Sequence, residues 1–219
     1  TLNVKNMRSL YFVFLIFLIV NCENSSKISN PGIRSGENSL SILFWNLENL
    51  FYPEDDPEKE DDDFTPEGSH HWTFNRYRDK IKGIWKTLVS VDPSKIPDII
   101  AVCEIENSKV IHDLFIHSPF GYLGYDVIHK DSPDIRGIDA GLAYNTKKLR
   151  LLDTSFYEVE RIAFKSGRPT RLILSASFAS AFDTVFVFVN HWPSKYGGAG
   201  LTEPLRQFAA IRLKELTDS

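Results

Sequence analysis

Several apolar runs in this sequence end on polar residues of the kind that handle metals and phosphates. Residues 185–189 are five apolar side chains in a row, followed at once by Asn190, His191, Trp192, Pro193, Ser194 and Lys195. Residues 40–46 finish on Asn46, residues 99–104 finish on Glu104, and Arg168 precedes the run 172–178. A carboxylate with amide oxygens suits a hard divalent cation that keeps several of its waters. Guanidinium and imidazole groups suit a phosphate. The set describes metal-assisted hydrolysis of a phosphate ester. Each residue alone has a plainer reading: His191 capping a strand in a surface loop, Glu104 paired with a nearby lysine, Arg168 solvated before Pro169. Recurrence at strand ends favours the chemical reading, because strands running the same way bring such ends to one rim.

The elements that must position these groups follow from hydrophobic period. Unbroken runs at 99–104 and 185–189 predict strands covered on both faces. Pro193 has no ladder donor and should end the second of them. Further strands are expected at 40–46, 125–129, 141–144, 151–160 and 172–178, with a charged turn over 131–141. Phe74, Tyr77, Ile81, Ile84, Trp85 and Leu88 recur at helical spacing, so 72–91 should be an amphipathic helix capped by Thr73. A short helix is expected over 108–115. Leu205, Phe208, Ala209, Arg212, Leu213 and Leu216 mark a last one, starting near Thr202. The acidic stretch 53–69 reads as a solvated loop, since it lacks the ordered spacing and Gly turn of a calcium loop.

A chain of 219 residues can bury one substantial core and does not require two. The net charge of −4 offers no large basic field for nucleic acid, although a local patch would suffice. Arg76, Arg78, Arg168, Arg171 and Lys195 could contribute to one. The two cysteines, Cys22 and Cys103, sit in unlike contexts and predict no disulfide framework. Cys103 reads as an inert core thiol. Met7 and Arg8 precede an apolar run at 10–20, too short to span a bilayer and suited to a secretory signal. Residues 18–22 resemble a bacterial lipoprotein cleavage site with Cys22 as the lipidated residue, although Asn21 departs from the usual small residue. An ordinary signal peptide is the alternative. The expected organisation is a signal over 1–22, a flexible tether over 23–39 and a domain over 40–219. That places the protein secreted or in a bacterial envelope, tethered to the membrane.

Five segments, in order, resemble the endonuclease/exonuclease/phosphatase superfamily. They are Phe44-Trp-Asn46-Leu-Glu-Asn-Leu-Phe51, Ile99-Ile-Ala-Val-Cys-Glu104-Ile-Glu-Asn107, Arg136-Gly-Ile-Asp139-Ala-Gly-Leu-Ala-Tyr144, Arg168-Pro-Thr-Arg171 and Val189-Asn-His191-Trp-Pro-Ser-Lys195. The resemblance implies a four-layer α/β/β/α sandwich of two mixed sheets flanked by helices. It implies Glu104 as a magnesium ligand supported by Asn46, with manganese or calcium as substitutes. His191, beside Asn190, would contact the phosphate or position the attacking water, and Asp139 would orient His191. Arg168 would contact phosphate, while Arg136 and Lys195 would form the substrate wall. The substrate would be a phosphodiester or phosphomonoester of nucleic acid, lipid or sugar.

The family's later Asp-x-Asn and Asp-His pairs have no match after His191, where the only acids are Glu203, Glu215 and Asp218. The resemblance therefore implies a fold incomplete at its C-terminal part and a crippled activity. The alternative is a non-catalytic envelope lipoprotein that binds a partner through a degenerate nuclease-like fold.

Overall fold

The computed structural model describes residues 18–19, 39–92, 96–159, 170–195 and 197–218. Cys22 and Arg168, and with them the expected lipidation site and one expected phosphate contact, lie outside the described residues. In chain order the strands are β1 (Leu18–Ile19), β2 (Ile42–Leu50), β3 (Ile99–Ile105), β4 (Tyr125–His129), β5 (Asp139–Asn145), β6 (Arg150–Tyr157), β7 (Ile173–Ala179) and β8 (Thr184–Val189). The helices are α1 (Phe74–Val91), α2 (Ser108–Phe115) and α3 (Ala199–Asp218). No helix among the described residues is long and apolar enough to cross a membrane.

One sheet has the order β2-β3-β5-β4 and is mixed: β2 and β3 run parallel, and the other pairings are antiparallel. The other has the order β1-β8-β7-β6 and is antiparallel throughout its described strands. A period of two assigns each strand's side chains to layers. On β3, Ile100 and Val102 face α1 and α2, while Ile99, Ala101 and Cys103 face the second sheet. On β7 and β8, Leu174, Ala176, Phe178, Val185, Val187 and Val189 meet them from across the interface. Ile173 and Phe188 turn the other way, toward Leu213 of α3. The layers are therefore helix, sheet, sheet, helix.

Local chemistry explains the helix ends. Thr73 caps α1 by accepting from Arg76 N, and Asn107 caps α2 by accepting from Val110 N at 3.1 Å. The last helix begins earlier than the sequence suggests. Thr202 lies inside it and donates to Gly198 O at 3.0 Å rather than capping it. Gly141 lets α2 press onto β5: a Cβ there would lie 2.5 Å from Ile111 Cδ1. Cys103 is a free, fully buried thiol, and burial raises its pKa.

Candidate active site

Parallel pairing of β2 with β3 sets Asn46 opposite Cys103, one residue before Glu104. Beyond that point the ladder breaks. Leu47, Glu48 and Asn49 on β2 oppose Glu104 alone on β3, and pairing resumes at Leu50 and Ile105. Glu104 is also the extra residue against β5, between Cys103 opposite Ala140 and Ile105 opposite Asp139. Glu48, Asn49 and Glu104 all take left-handed backbone, with φ of 54°, 62° and 60°. Such conformations cost roughly 1–3 kcal/mol each for residues with a side chain and gather where a bulge re-aims a functional group.

The bulge surrounds one carboxylate with donors. Glu104 Oε1 accepts from Asn46 Nδ2 at 2.9 Å, and Oε2 accepts from Asn49 N at 3.1 Å. His191 Nε2, just past the end of β8, stands 3.4 Å from Oε1. Asn46 Oδ1 accepts from Glu48 N at 2.8 Å, which fixes the amide. Lys80 of α1 clamps the left-handed pair, its Nζ donating to Glu48 O at 2.6 Å and to Asn49 O at 3.2 Å. Burial pushes the Glu104 carboxyl up, but bonds from His191, Asn46 and Asn49 outweigh it and hold the group below the usual carboxylate range. Burial pushes His191 down; the bond to Glu104 opposes this, while Arg171 and Arg136 reinforce it. Burial also lowers Lys80, against the raising fields of Glu48 and Glu104.

A pair of guanidiniums backs the carboxylate. Asp134 binds Arg136 through both oxygens, at 3.1 Å to Nε and 2.7 Å to an NH2 nitrogen. Arg171 Nε lies 3.1 Å from the same carboxylate. Arg171 is buried, whereas Arg136 is about half exposed, 45% for its side chain. Burial, and then repulsion by Arg136, lowers Arg171 to about 10. The fields of both cations reach Glu104 and His191.

Of the residues singled out from sequence, the structure thus joins Asn46, Glu104 and His191, with Arg136 nearby. Asp139 does not serve His191. β5 starts at Asp139 beside the end of β4, so its Oδ1 accepts from Ser132 N at 3.0 Å and its Oδ2 lies 3.3 Å from His129 Nε2. Asn190 adjoins His191, but its Nδ2 is tied back to Phe188 O at 3.3 Å. Its side chain lines a small cavity of about 20 Å³ beneath α3 with Trp192 and Phe208. Lys195 is exposed on the loop beyond His191. Arg171 is no groove residue, being sequestered by Asp134. Arg76 of α1 is spent on the carbonyls of His70 and His71.

Sequence reasoning passed over Asn49, Lys80 and Asp134. The only signal for Asp134 was its place two residues before Arg136 in a charged turn. It also passed over a buried acid pair beside the site. Glu106 accepts from Tyr52 N at 2.5 Å and lies beside the buried Asp61 carboxyl. Burial, with Asp61 beside it, pushes Glu106 up to about 8.

The comparisons agree with this architecture. The family model described as the Endonuclease/Exonuclease/phosphatase family matches residues 41–219. None of the curated proteins compared with the chain matches it. Among solved structures, an endonuclease/exonuclease/phosphatase family protein from Bacteroides thetaiotaomicron is 15% identical with a TM-score of 0.55, over 82% of this chain and 58% of that one. Humanized D. rerio TDP2 is 14% identical with a TM-score of 0.53, over 82% and 57%. A mannosyl-6-phosphatase of Bacteroides thetaiotaomicron VPI-5482 is 15% identical with a TM-score of 0.51, over 82% and 59%. The chain thus spans 57–59% of the length of these structures, and at such identities the likeness speaks to fold. With the family model covering all but the first 40 residues, the chain belongs to the Endonuclease/Exonuclease/phosphatase family.

Proposed function

We propose that this chain hydrolyses phosphate esters, phosphodiesters first, with a bound divalent cation (magnesium, or manganese or calcium in its place), and does so feebly, since the family's Asp-x-Asn and Asp-His pairs have no match after His191. The observation that carries the reading is the meeting of Glu104, Asn46 and His191 at one bulge, backed by Arg136 and Arg171. The donor set fits a hard cation. Glu104 is held ionised and stays partly open to solvent, and Asn46 adds an amide oxygen with a second lone pair. Two protein donors leave the remaining positions to water and phosphate, as magnesium tolerates. The ion would supply charge that polarises the phosphoryl oxygen and steadies the leaving oxygen.

The chain's own groups supply the rest. Burial favours the neutral His191 ring, whose Nε2–H points at Glu104 and can hold the attacking water or a phosphate oxygen beside the carboxylate, the water's proton passing to solvent. Asp134 fixes the planar fork of Arg136, whose exposed side can grip phosphate oxygens. Water attacks in line, and the new P–O bond forms as the bond to the leaving oxygen breaks. Lys195 extends the wall on the loop past His191. The phosphatase named among the similar folds supports a phosphoester substrate class. The same proposal keeps the domain outside the cytoplasm, tethered through Cys22; its support is the apolar run at 10–20 that leads to that cysteine, and processing there would remove the two-residue β1 from the edge of the second sheet.

The test is turnover of bis(4-nitrophenyl) phosphate by the wild-type chain and Glu104→Ala, with magnesium and with chelator. Hydrolysis that needs magnesium and fails in the variant supports the proposal. Hydrolysis indifferent to both would overturn it. Binding of magnesium and a phosphodiester analogue with no turnover would favour the non-catalytic alternative.

A further inference from the structure

We infer that His129, Asp131 and Asp139 form a second cation site, separate from Glu104, for a transition-metal dication such as Zn²⁺. His129 ends β4 and Asp139 starts β5, with side chains only 3% and 1% exposed. His129 Nε2 and Asp139 Oδ2 face each other at 3.3 Å, yet neither makes a hydrogen bond, although both atoms are buried. That spacing has a direct meaning in metal geometry. Two donors bound tetrahedrally at the usual zinc distances stand about 3.3 Å apart. The other oxygen of Asp139 is already oriented by Ser132 N at 3.0 Å, the kind of outer bond that aims a metal-binding carboxylate.

The third donor comes from the loop. Asp131 is largely exposed, and its Oδ1 lies 3.9 Å from His129 Nδ1, on the ring edge away from the contact between Nε2 and Asp139, so it must swing round to share an ion with them. One ligand atom from each of the three residues lies within 4.8 Å of the other two. The two buried donors are set by the sheet, and the solvent-facing carboxylate can swing the remaining distance. Among the described residues this is the one such trio. An imidazole with two carboxylates favours a borderline metal over magnesium, which prefers oxygen alone.

The site would pin the segment between β4 and β5. That segment carries Asp134 and Arg136, and it is already held by Lys59, whose Nζ donates to Ser132 O at 3.2 Å. A cation there stiffens the support of Arg136 without touching a reacting atom. The inference does not depend on the phosphoesterase proposal.

The test is calorimetric titration of the chelator-stripped chain with Zn²⁺, with Mg²⁺ as the contrasting ion, alongside metal analysis of the dialysed protein. The expected result is one Zn²⁺ that Mg²⁺ does not displace, with a raised melting temperature. Glu104→Gln should keep that affinity within about twofold, and Asp131→Asn should weaken it by at least about tenfold. His129→Gln should abolish it. Asp131 is exposed, so Asp131→Asn decides the matter even if His129→Gln folds poorly. Absence of Zn²⁺ binding, unchanged binding in Asp131→Asn, or loss of binding in Glu104→Gln would each overturn the inference and leave His129 and Asp139 as an ion pair.

Discussion

The sheet that bears Glu104 and the sheet that leads to His191 are covered to different depths. β3 is buried at every residue except one, and the exception is Glu104 itself. It has α1 and α2 on one face and the second sheet on the other. β6, at the far edge of the second sheet, has no buried residue. The outer face of that sheet meets α3 through a small cluster around Ile173, Phe188 and Leu213. The lesson is a division of labour: the proposed metal ligand sits on a layer that cannot give, while His191 follows a layer with room to adjust. Their 3.4 Å separation is the adjustable quantity.

Core truncation tests that contrast most strongly. Leu114→Ala, in the fully buried helix-sheet core, should cost about 2–5 kcal/mol in urea melts. Leu213→Ala, in the thin cluster under α3, should fall near the low end of the roughly 0.5–3 kcal/mol usual for point changes. Equal losses would erase the distinction. Next in size, Glu104→Gln should lower phosphodiester turnover by about 10²–10³-fold with little change in melting temperature. Lys80→Met should lower turnover by about 10–100-fold, because Lys80 holds the carbonyls of the two left-handed residues around the carboxylate. An intact rate would show that the bulge holds itself.

The buried acid pair gives a pH test of the deep layer. Glu106 rises from the ordinary 4.5 to about 8 in the folded chain. Unfolded chains therefore lose its proton first as pH climbs. The pair's stabilising effect is complete below pH 4.5 and disappears as pH rises through about 8. Glu106→Gln should flatten that slope and melt above wild type at pH 8.5, by roughly 2–4 °C per kcal/mol recovered. A wild-type melting temperature flat from pH 5 to 9 would contradict it. The smallest effect belongs to Leu152→Ala on exposed β6, expected within about 0.5 kcal/mol of wild type.

The layers were legible in the sequence because burial on both faces leaves unbroken runs, and 99–104 and 185–189 are such runs. Asn46, Glu104 and His191 were legible because polarity changes abruptly at the ends of those strands. What stayed hidden depends on register and on backbone shape. Asp139 in sequence looks like a partner for His191, and only the pairing of β4 with β5 assigns it to His129. Arg171 reads as a surface cation until Asp134, 37 residues earlier, is seen beside it. The left-handed turn at Glu48 and Asn49 carries no glycine to announce it. Lys80 looked like one more polar residue of an amphipathic helix.

Glu104 occupies a backbone state that glycine enters without penalty. Selection for stability alone would therefore pull this position toward glycine and away from chemistry. A Glu104→Gly chain should melt above a Glu104→Ala chain, by the roughly 1–2 kcal/mol that a side chain costs in that conformation. An acid that endures at such a spot does so against the preference of its own backbone.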